Sequence, residues 1–191
     1  MILAGGRARR MGREKLSLEV NGLSMIERVY EALAGTCREV LVVGGEGQGP
    51  ATVRYVADQR PGRQGPLAGI EAGLGASNYE QVFVAAGDMP FLTEDLANHL
   101  LDLLERNHVP AVIPRFGTRT HPLCGAYARA LLPRVSSALD GGIRAVREFL
   151  ENLDGVVYVG EELRRFGDPK VLLMSVNSPE DLERARREAA R

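Results

Sequence analysis

"QVFVAAGD", residues 81–88, is an apolar run that closes on a glycine and a carboxylate. It reads as a buried strand with Asp88 at its end. Two more runs have this form: "REVLVVGG" (38–45), ending in glycine, and "VRYVAD" (53–58), ending on Asp58. "VPAVIP" (109–114), "HPLCGAY" (121–127), "VVYV" (156–159) and "VLLMSV" (171–176) are shorter or weaker strand candidates. Helical patterns lie between the runs, near 24–35, 66–76, 93–107, 128–139, 142–152 and 178–190. Thr93 in "TEDL" marks one helix start. Ser178 in "SPEDL" marks another, with Pro179 at the first helical position and Asp181 three residues after the cap. Strands alternating with helices predict an α/β fold, a mostly parallel sheet with helices on both faces. Only Met1, Ile2 and Leu3 precede the first glycines. An ordinary strand has about five or six residues, so the first strand is expected to be very short or incomplete.

Bulk composition narrows the class. The chain has 191 residues, 45% hydrophobic and 26% charged, which fits one globular domain over 1–191 with a core of three layers. The net charge of -1 gives no overall field for nucleic acid or membrane. No apolar run is long enough to cross a bilayer, and the start does not read as a signal peptide. Cys37 and Cys124 match no metal-ligand spacing. They read as buried free thiols in a reducing cytoplasm, which is the expected location, with one disulfide as the alternative. Of 24 basic residues only Lys15 and Lys170 are lysine. A lysine inside an arginine-rich loop is therefore informative, since lysine is a compact, flexible point charge and arginine a planar fork.

In a sheet of this type ligands sit beyond the carboxyl ends of the strands. The loop "LAGGRARRMGREK" (3–15), Asp58 and "GDMP" (87–90) all fall there. Gly5 and Gly6 would let the backbone approach a ligand and present its amides. Arg10 and Lys15 could neutralise a chain of phosphates. The loop contains neither G-x-x-x-x-G-K-[ST] nor G-x-G-x-x-G, which argues against a Walker ATPase and a dinucleotide-binding dehydrogenase. A solvated surface loop is the competing reading.

Asp88, flanked by Gly87 and followed by Pro90, is a natural oxygen ligand for Mg²⁺. It stands five residues before Thr93 and is not needed as that helix's cap. "RQGPLAGIEAGL" (63–74) looks like a tight entry, at Gly65 and Pro66, into a small-residue helix that packs close to a ligand or to the sheet. His121 precedes a proline at a strand start, a place where a structural role competes with a functional one. Asn177 either shapes the turn before the last helix or projects its amide oxygen toward a metal or phosphate. No Ser/His/Asp or Cys/His constellation stands out, which disfavours nucleophilic acyl chemistry.

Together these pieces resemble the molybdenum cofactor guanylyltransferase family, within the nucleotidyltransferases of sugar-nucleotide type. The family's loop runs roughly L-A-G-G-x-S-x-R-M-G-x-D-K and stands here as residues 3–15. "GPLAGI" (65–70), "GDMPF" (87–91), "HPL" (121–123) and "VNSPEDL" (176–182) follow in the family's order. The resemblance covers essentially the whole chain. It implies a Rossmann-like three-layer α/β/α domain of the nucleotide-diphospho-sugar transferase type. Residues 1–110 would form the nucleotide-binding half and 111–191 the acceptor-binding half. It also implies Mg²⁺-dependent transfer of GMP from GTP onto molybdopterin, with molybdoenzymes or cofactor-delivery proteins as protein partners.

Carried residue by residue, Leu3, Ala4, Gly5, Gly6, Lys15, Asp58, Gly65, Pro66, Leu67 and Asp88 would bind the nucleotide. Lys15, Arg10 and Asp88 would act in catalysis, with Asp88 holding the metal. Asn177 and His121 would lie on the acceptor side. The chain departs from the pattern at Glu14, in place of Asp, and at Ala8, in place of Ser. Ser175 stands where some members have a second Asn.

The L-A-G-G loop resembles guanine users, whereas cytosine users tend to read L-A-A-G. The alternatives are a CTP-dependent enzyme on the same cofactor, a nucleotidyltransferase with another phosphorylated acceptor, and a non-catalytic protein that handles the cofactor.

Overall fold

The central strand forms because its residues have somewhere apolar to go on both sides. Val82 and Val84 point to one face, Phe83 and Ala85 to the other, and all four are buried. A run buried on both faces carries no polar alternation, so a strand of this kind reads as continuously apolar.

The computed structural model of the chain describes residues 1–5, 15–45, 49–50, 53–57, 60 and 65–191. In chain order its elements are β1 (Ile2–Leu3), the hairpin β2 (Glu19–Val20) and β3 (Leu23–Ser24), α1 (Met25–Ala34), β4 (Leu41–Val43) and β5 (Arg54–Val56). They continue with α2 (Pro66–Ala76), β6 (Gln81–Ala86), α3 (Glu94–Asn107), β7 (Ala111–Phe116), β8 (Arg119–Thr120) and β9 (Cys124–Ala128). A 3-10 turn at Arg129–Leu131 leads into α4 (Leu132–Asp140), then α5 (Val146–Glu151) and β10 (Val157–Val159). A second 3-10 segment, Glu161–Phe166, precedes the single turn α6 (Pro169–Leu172) and the last helix α7 (Pro179–Ala189).

The main sheet runs β10-β7-β9-β6-β1-β4-β5, with β8 added on β7. Strands β6, β1, β4 and β5 are mutually parallel, and β10 is parallel to β7. β9 is antiparallel to both β6 and β7, so the carboxyl ends of β1, β6 and β7 share one edge of the sheet. Helices α1 and α3 cover one face through Ile26, Val29, Leu33, Leu96 and Leu100. Helices α2, α4 and α5 cover the other through Leu67, Ile70, Val135, Leu139 and Phe149. The mostly parallel, three-layer arrangement expected from the sequence is the one observed.

Two local expectations change. Residues 171–176 are not a strand. Pro169 occupies the first position of a helical turn, and the Asp168 carboxylate accepts from the Lys170 amide at 2.9 Å to cap it. That cap draws the start of the apolar run into α6, and the remainder joins no ladder. The second change is the region 142–152, where only 146–151 is helical. Gly142 has φ +93°, in the left-handed region, which ends any continuity with α4.

A third small core decides where the last helix sits. Val20 of the hairpin, Met25, Met174, Val176, Leu182 and Ala185 pack together. The Arg186 guanidinium donates to the Glu19 carbonyl at 3.2 Å across the same junction. The segment 174–177 is thereby laid over the end of β6.

Candidate active site

The site grows from the short strand β1. The Leu3 carbonyl accepts from Gly87 N–H at 3.0 Å, and Ala4 N–H donates to the Val43 carbonyl at 2.9 Å. The chain therefore leaves β1 between the ends of β4 and β6. Gly5 and Gly44 meet backbone to backbone there. A Cβ on Gly44 would stand 3.3 Å from the Gly5 Cα, and Gly44 has φ +77°. Gly87 lets the chain re-enter close to β6, since a Cβ on it would lie 3.2 Å from a Leu16 methyl. Leu16 is buried and fixes the backbone beside Lys15.

Lys15 is itself buried, with 7% of its side chain exposed. Its ammonium donates to Asp88 Oδ2 at 2.7 Å and to Asn177 Oδ1 at 3.0 Å. Three residues separated by 73 and 162 positions of sequence thus meet around one cation. Asp88 follows β6, and its carbonyl accepts from Val176 N–H at 3.0 Å, which ties the 174–177 segment to the strand end. Asn177 is aimed by the cap of α7. Its N–H and that of Ser178 both donate to Asp181 Oδ2, at 2.9 and 3.0 Å, while Ser178 Oγ accepts from Asp181 N–H at 3.1 Å. These bonds, the one from Asn177 first, hold the Asp181 carboxyl below its ordinary pKa.

Gly65 and Pro66 open α2 as expected, with Gly65 at φ +74° and Pro66 in the first helical turn. A Cβ on Gly65 would come within 2.9 Å of the Arg144 carbonyl. Glycine at this position therefore lets the start of α2 lie against the segment before α5, a contact that the sequence does not signal. Leu67 has its side chain fully in the core, so only its backbone can face a ligand. Leu3 is also a core side chain. The small residues farther along α2 serve packing. A Cβ on Gly69 would crowd Leu3, and one on Gly73 would collide with the Met1 thioether.

His121 sits between β8 and β9. Its N–H donates to the Pro114 carbonyl at 2.9 Å, and its carbonyl accepts from Cys124 N–H at 3.0 Å. Burial, then the charges of Arg119 and Arg147, push its pKa down to about 4, so the ring is neutral at neutral pH. Among the described residues no hydrogen bond joins it to the Lys15–Asp88–Asn177 group. Gly6, Arg10 and Asp58 lie outside the described residues.

Both thiols are free, and burial pushes Cys124 up to about 12. Among the described residues no three His, Cys, Asp or Glu side chains form a metal cluster, and no helix is long and apolar enough to cross a membrane.

Arg60 is a structural residue that no motif in the sequence signals. Its guanidinium makes paired bonds to Glu71 at 2.6 and 2.7 Å and one to Asp140 at 2.6 Å. It ties residue 60 to α2 and α4.

Comparison with known proteins gives the family. Residues 1–156 match the model of the MobA-like NTP transferase domain. The chain is 38% identical over 189 residues to a probable molybdenum cofactor guanylyltransferase of Pelotomaculum thermopropionicum, covering 97% of this chain and 90% of that protein. It is 31% identical over 190 residues to the molybdenum cofactor guanylyltransferase of Syntrophotalea carbinolica, covering 98% of this chain and 90% of that protein. The crystal structure of molybdopterin-guanine dinucleotide biosynthesis protein A from Archaeoglobus fulgidus superposes with a TM-score of 0.81 at 30% identity. That match covers 99% of this chain and 97% of the other. A cytidylyltransferase from Thermus thermophilus shares the fold alone, at 19% identity and a TM-score of 0.73 over 99% of this chain and 97% of the other. Sequence and fold together place the chain in the molybdenum cofactor guanylyltransferase family of MobA-like nucleotidyltransferases.

Proposed function

We propose that this protein transfers GMP from GTP to the terminal phosphate of molybdopterin, releasing pyrophosphate, with Mg²⁺ as cofactor. One observation carries the reading. Lys15, Asp88 and Asn177 converge at the carboxyl edge of the sheet, where the L-A-G-G loop begins. The relatives' names support guanine and the molybdenum cofactor as the substrate pair.

The residues fit a divalent ion. Asp88 Oδ2 and Asn177 Oδ1 are hard oxygen donors, and in this structure they already converge on a cation, the Lys15 ammonium. Mg²⁺ characteristically takes one or two such ligands and completes its shell with phosphate oxygens and water, and there it would neutralise phosphate charge. Asp88 and Asn177 would hold it.

In the reaction, a phosphate oxygen of molybdopterin attacks the α-phosphorus of GTP. A new P–O bond forms and the bond to the β-phosphate oxygen breaks, its electron pair leaving with pyrophosphate. The attacking phosphate is already ionised, so no side chain has to remove a proton. This accounts for a site without a base–nucleophile pair. The demand falls on charge neutralisation and alignment. Lys15 would supply a positive charge to the triphosphate, as would Arg10. The amides of the Gly5–Gly6 turn would receive phosphate oxygens, and the Gly65–Pro66 entry to α2 and Asp58 would hold the nucleoside. Asn177 and His121 belong to the acceptor side.

Pyrophosphate release from GTP, CTP, ATP and UTP, each with molybdopterin and Mg²⁺, tests the reading. Release confined to GTP is the expected outcome. Release confined to CTP replaces guanine by cytosine. No release from any nucleotide overturns the enzyme reading in favour of a cofactor-handling protein.

A further inference from the structure

Lys15 holds the two oxygens that the proposed metal ion would use. Its ammonium stands 2.7 Å from Asp88 Oδ2 and 3.0 Å from Asn177 Oδ1. A divalent cation taken by both of these oxygens would lie close to the ammonium they already hold, and the two cations would repel across a part-buried site. The same lysine ends the loop that would carry the triphosphate. It has one ammonium and two competing roles for it.

We propose that Lys15 is an internal counter-ion that keeps the metal site closed until a nucleotide arrives. Without nucleotide its ammonium holds Asp88 and Asn177. The triphosphate draws the ammonium across to its phosphates and frees both oxygens for the divalent ion. The proposal rests on the nucleotidyltransferase reading of the site.

Three features support it. First, among the described residues Asp88 and Asn177 would otherwise present uncompensated side-chain acceptors, one of them a carboxylate with only 19% of its side chain exposed. Leaving such a charge unpaired is costly, so an occupied resting state is favoured. Second, the backbone at the base of the side chain is anchored. The Lys15 carbonyl accepts from Leu18 N–H at 3.1 Å, and Leu16 is buried against Gly87. The four-carbon stem can therefore swing while the main chain stays. Third, the chain uses arginine at 22 of its 24 basic positions, yet has lysine here. A planar guanidinium would fork onto the carboxylate and could not be exchanged for an ion by rotation of a slim stem.

The two-lysine composition supplies the test. Protein labelled with ¹⁵N-lysine has two side-chain ammonium resonances, and the Lys170→Arg variant, changed at an exposed position, assigns them. Mg²⁺ alone should leave the Lys15 resonance in place, and Mg²⁺ with GTP should shift it. Mn²⁺ binding to nucleotide-free protein, read by electron paramagnetic resonance, should be about tenfold tighter in Lys15→Met than in wild type, the scale on which a part-buried ion pair competes. That gain should vanish in Lys15→Met/Asp88→Asn. A Lys15 shift with Mg²⁺ alone, or equal Mn²⁺ binding by wild type and Lys15→Met, overturns the proposal. The resonance measurement uses wild-type protein and stands even if the variant folds poorly. A Lys15 resonance unmoved by Mg²⁺–GTP, with pyrophosphate release intact, defeats the counter-ion alone. No pyrophosphate release from any nucleotide, with the Mn²⁺ gain present, defeats the functional reading alone.

Discussion

At the scale of single residues, the proposed function puts its weight on a lysine and an aspartate that composition and position already single out. Under the proposed function, Lys15→Ala removes a positive charge from the triphosphate. It is expected to raise the GTP dissociation constant about 10- to 100-fold, the scale of one charge-assisted hydrogen bond in a part-buried site. Isothermal titration with Mg²⁺–GTP reads this. Asp88→Asn keeps the shape and removes the charge. It is expected to lower kcat by about 10²–10³ while sparing most nucleotide affinity, because it acts on charge that develops during transfer. Steady-state pyrophosphate release separates the two effects. His121 makes a different prediction. Its folded pKa of about 4 lies below the ordinary 6.5, so between these values the unfolded chain binds the extra proton. Its contribution to stability is therefore intact above about pH 6.5 and falls as the pH drops toward about 4. Thermal melts across pH 4–7 should show this slope, and His121→Asn should flatten it.

At the scale of elements, two helix starts aim the site. The capping box of α7 fixes Asn177 through Asp181. Asp181→Ala is expected to cost about 1 kcal/mol of stability, the usual cost of removing a cap. It should also lower activity, because Asn177 loses its anchor. Substituting the solvent-facing Glu183 by Ala should do neither. A melting curve paired with an activity assay checks both halves. The entry to α2 depends on Gly65. An alanine there takes a left-handed backbone and brings its Cβ within 2.9 Å of the Arg144 carbonyl. The expected result is a stability loss of about 1–3 kcal/mol with weakened nucleotide binding, since the helix start must move.

At the scale of the molecule, β9 is the joint between the parallel block β6-β1-β4-β5 and the pair β7-β10. Gly125 is the close point in that joint. A Cβ there would meet the Val112 carbonyl at 2.9 Å and the Ile113 methyl at 2.7 Å. Gly125→Val is expected to lower stability by about 1–3 kcal/mol or more through overpacking, read as a drop in melting temperature. The third core, joining the β2–β3 hairpin to α7, has the complementary role. It brings residues from opposite ends of the chain over the tip of β6, and without it Asn177 would have no route to Asp88.

Local chemistry made much of this protein legible in its sequence. Runs such as 81–88 are apolar throughout because both faces of the strand are covered, and that pattern needs no neighbour to be read. Ser178 and Pro179 announce α7 because a helix start is satisfied by residues next to it. Lys15 stands out by composition alone. The rest depended on contacts between distant segments. The run 171–176 has the apolar content of a strand, but the Asp168–Pro169 cap turns its start into a helix and no sheet edge receives the remainder. The meeting of Lys15 with Asp88 and Asn177 spans 162 positions and is set by sheet order and by the small core under α7. Nor could the sequence say that Gly65 leans on the Arg144 carbonyl. Strand and helix identity follows from the short-range balance of burial and capping, whereas the position of a charge in space follows from how whole layers pack.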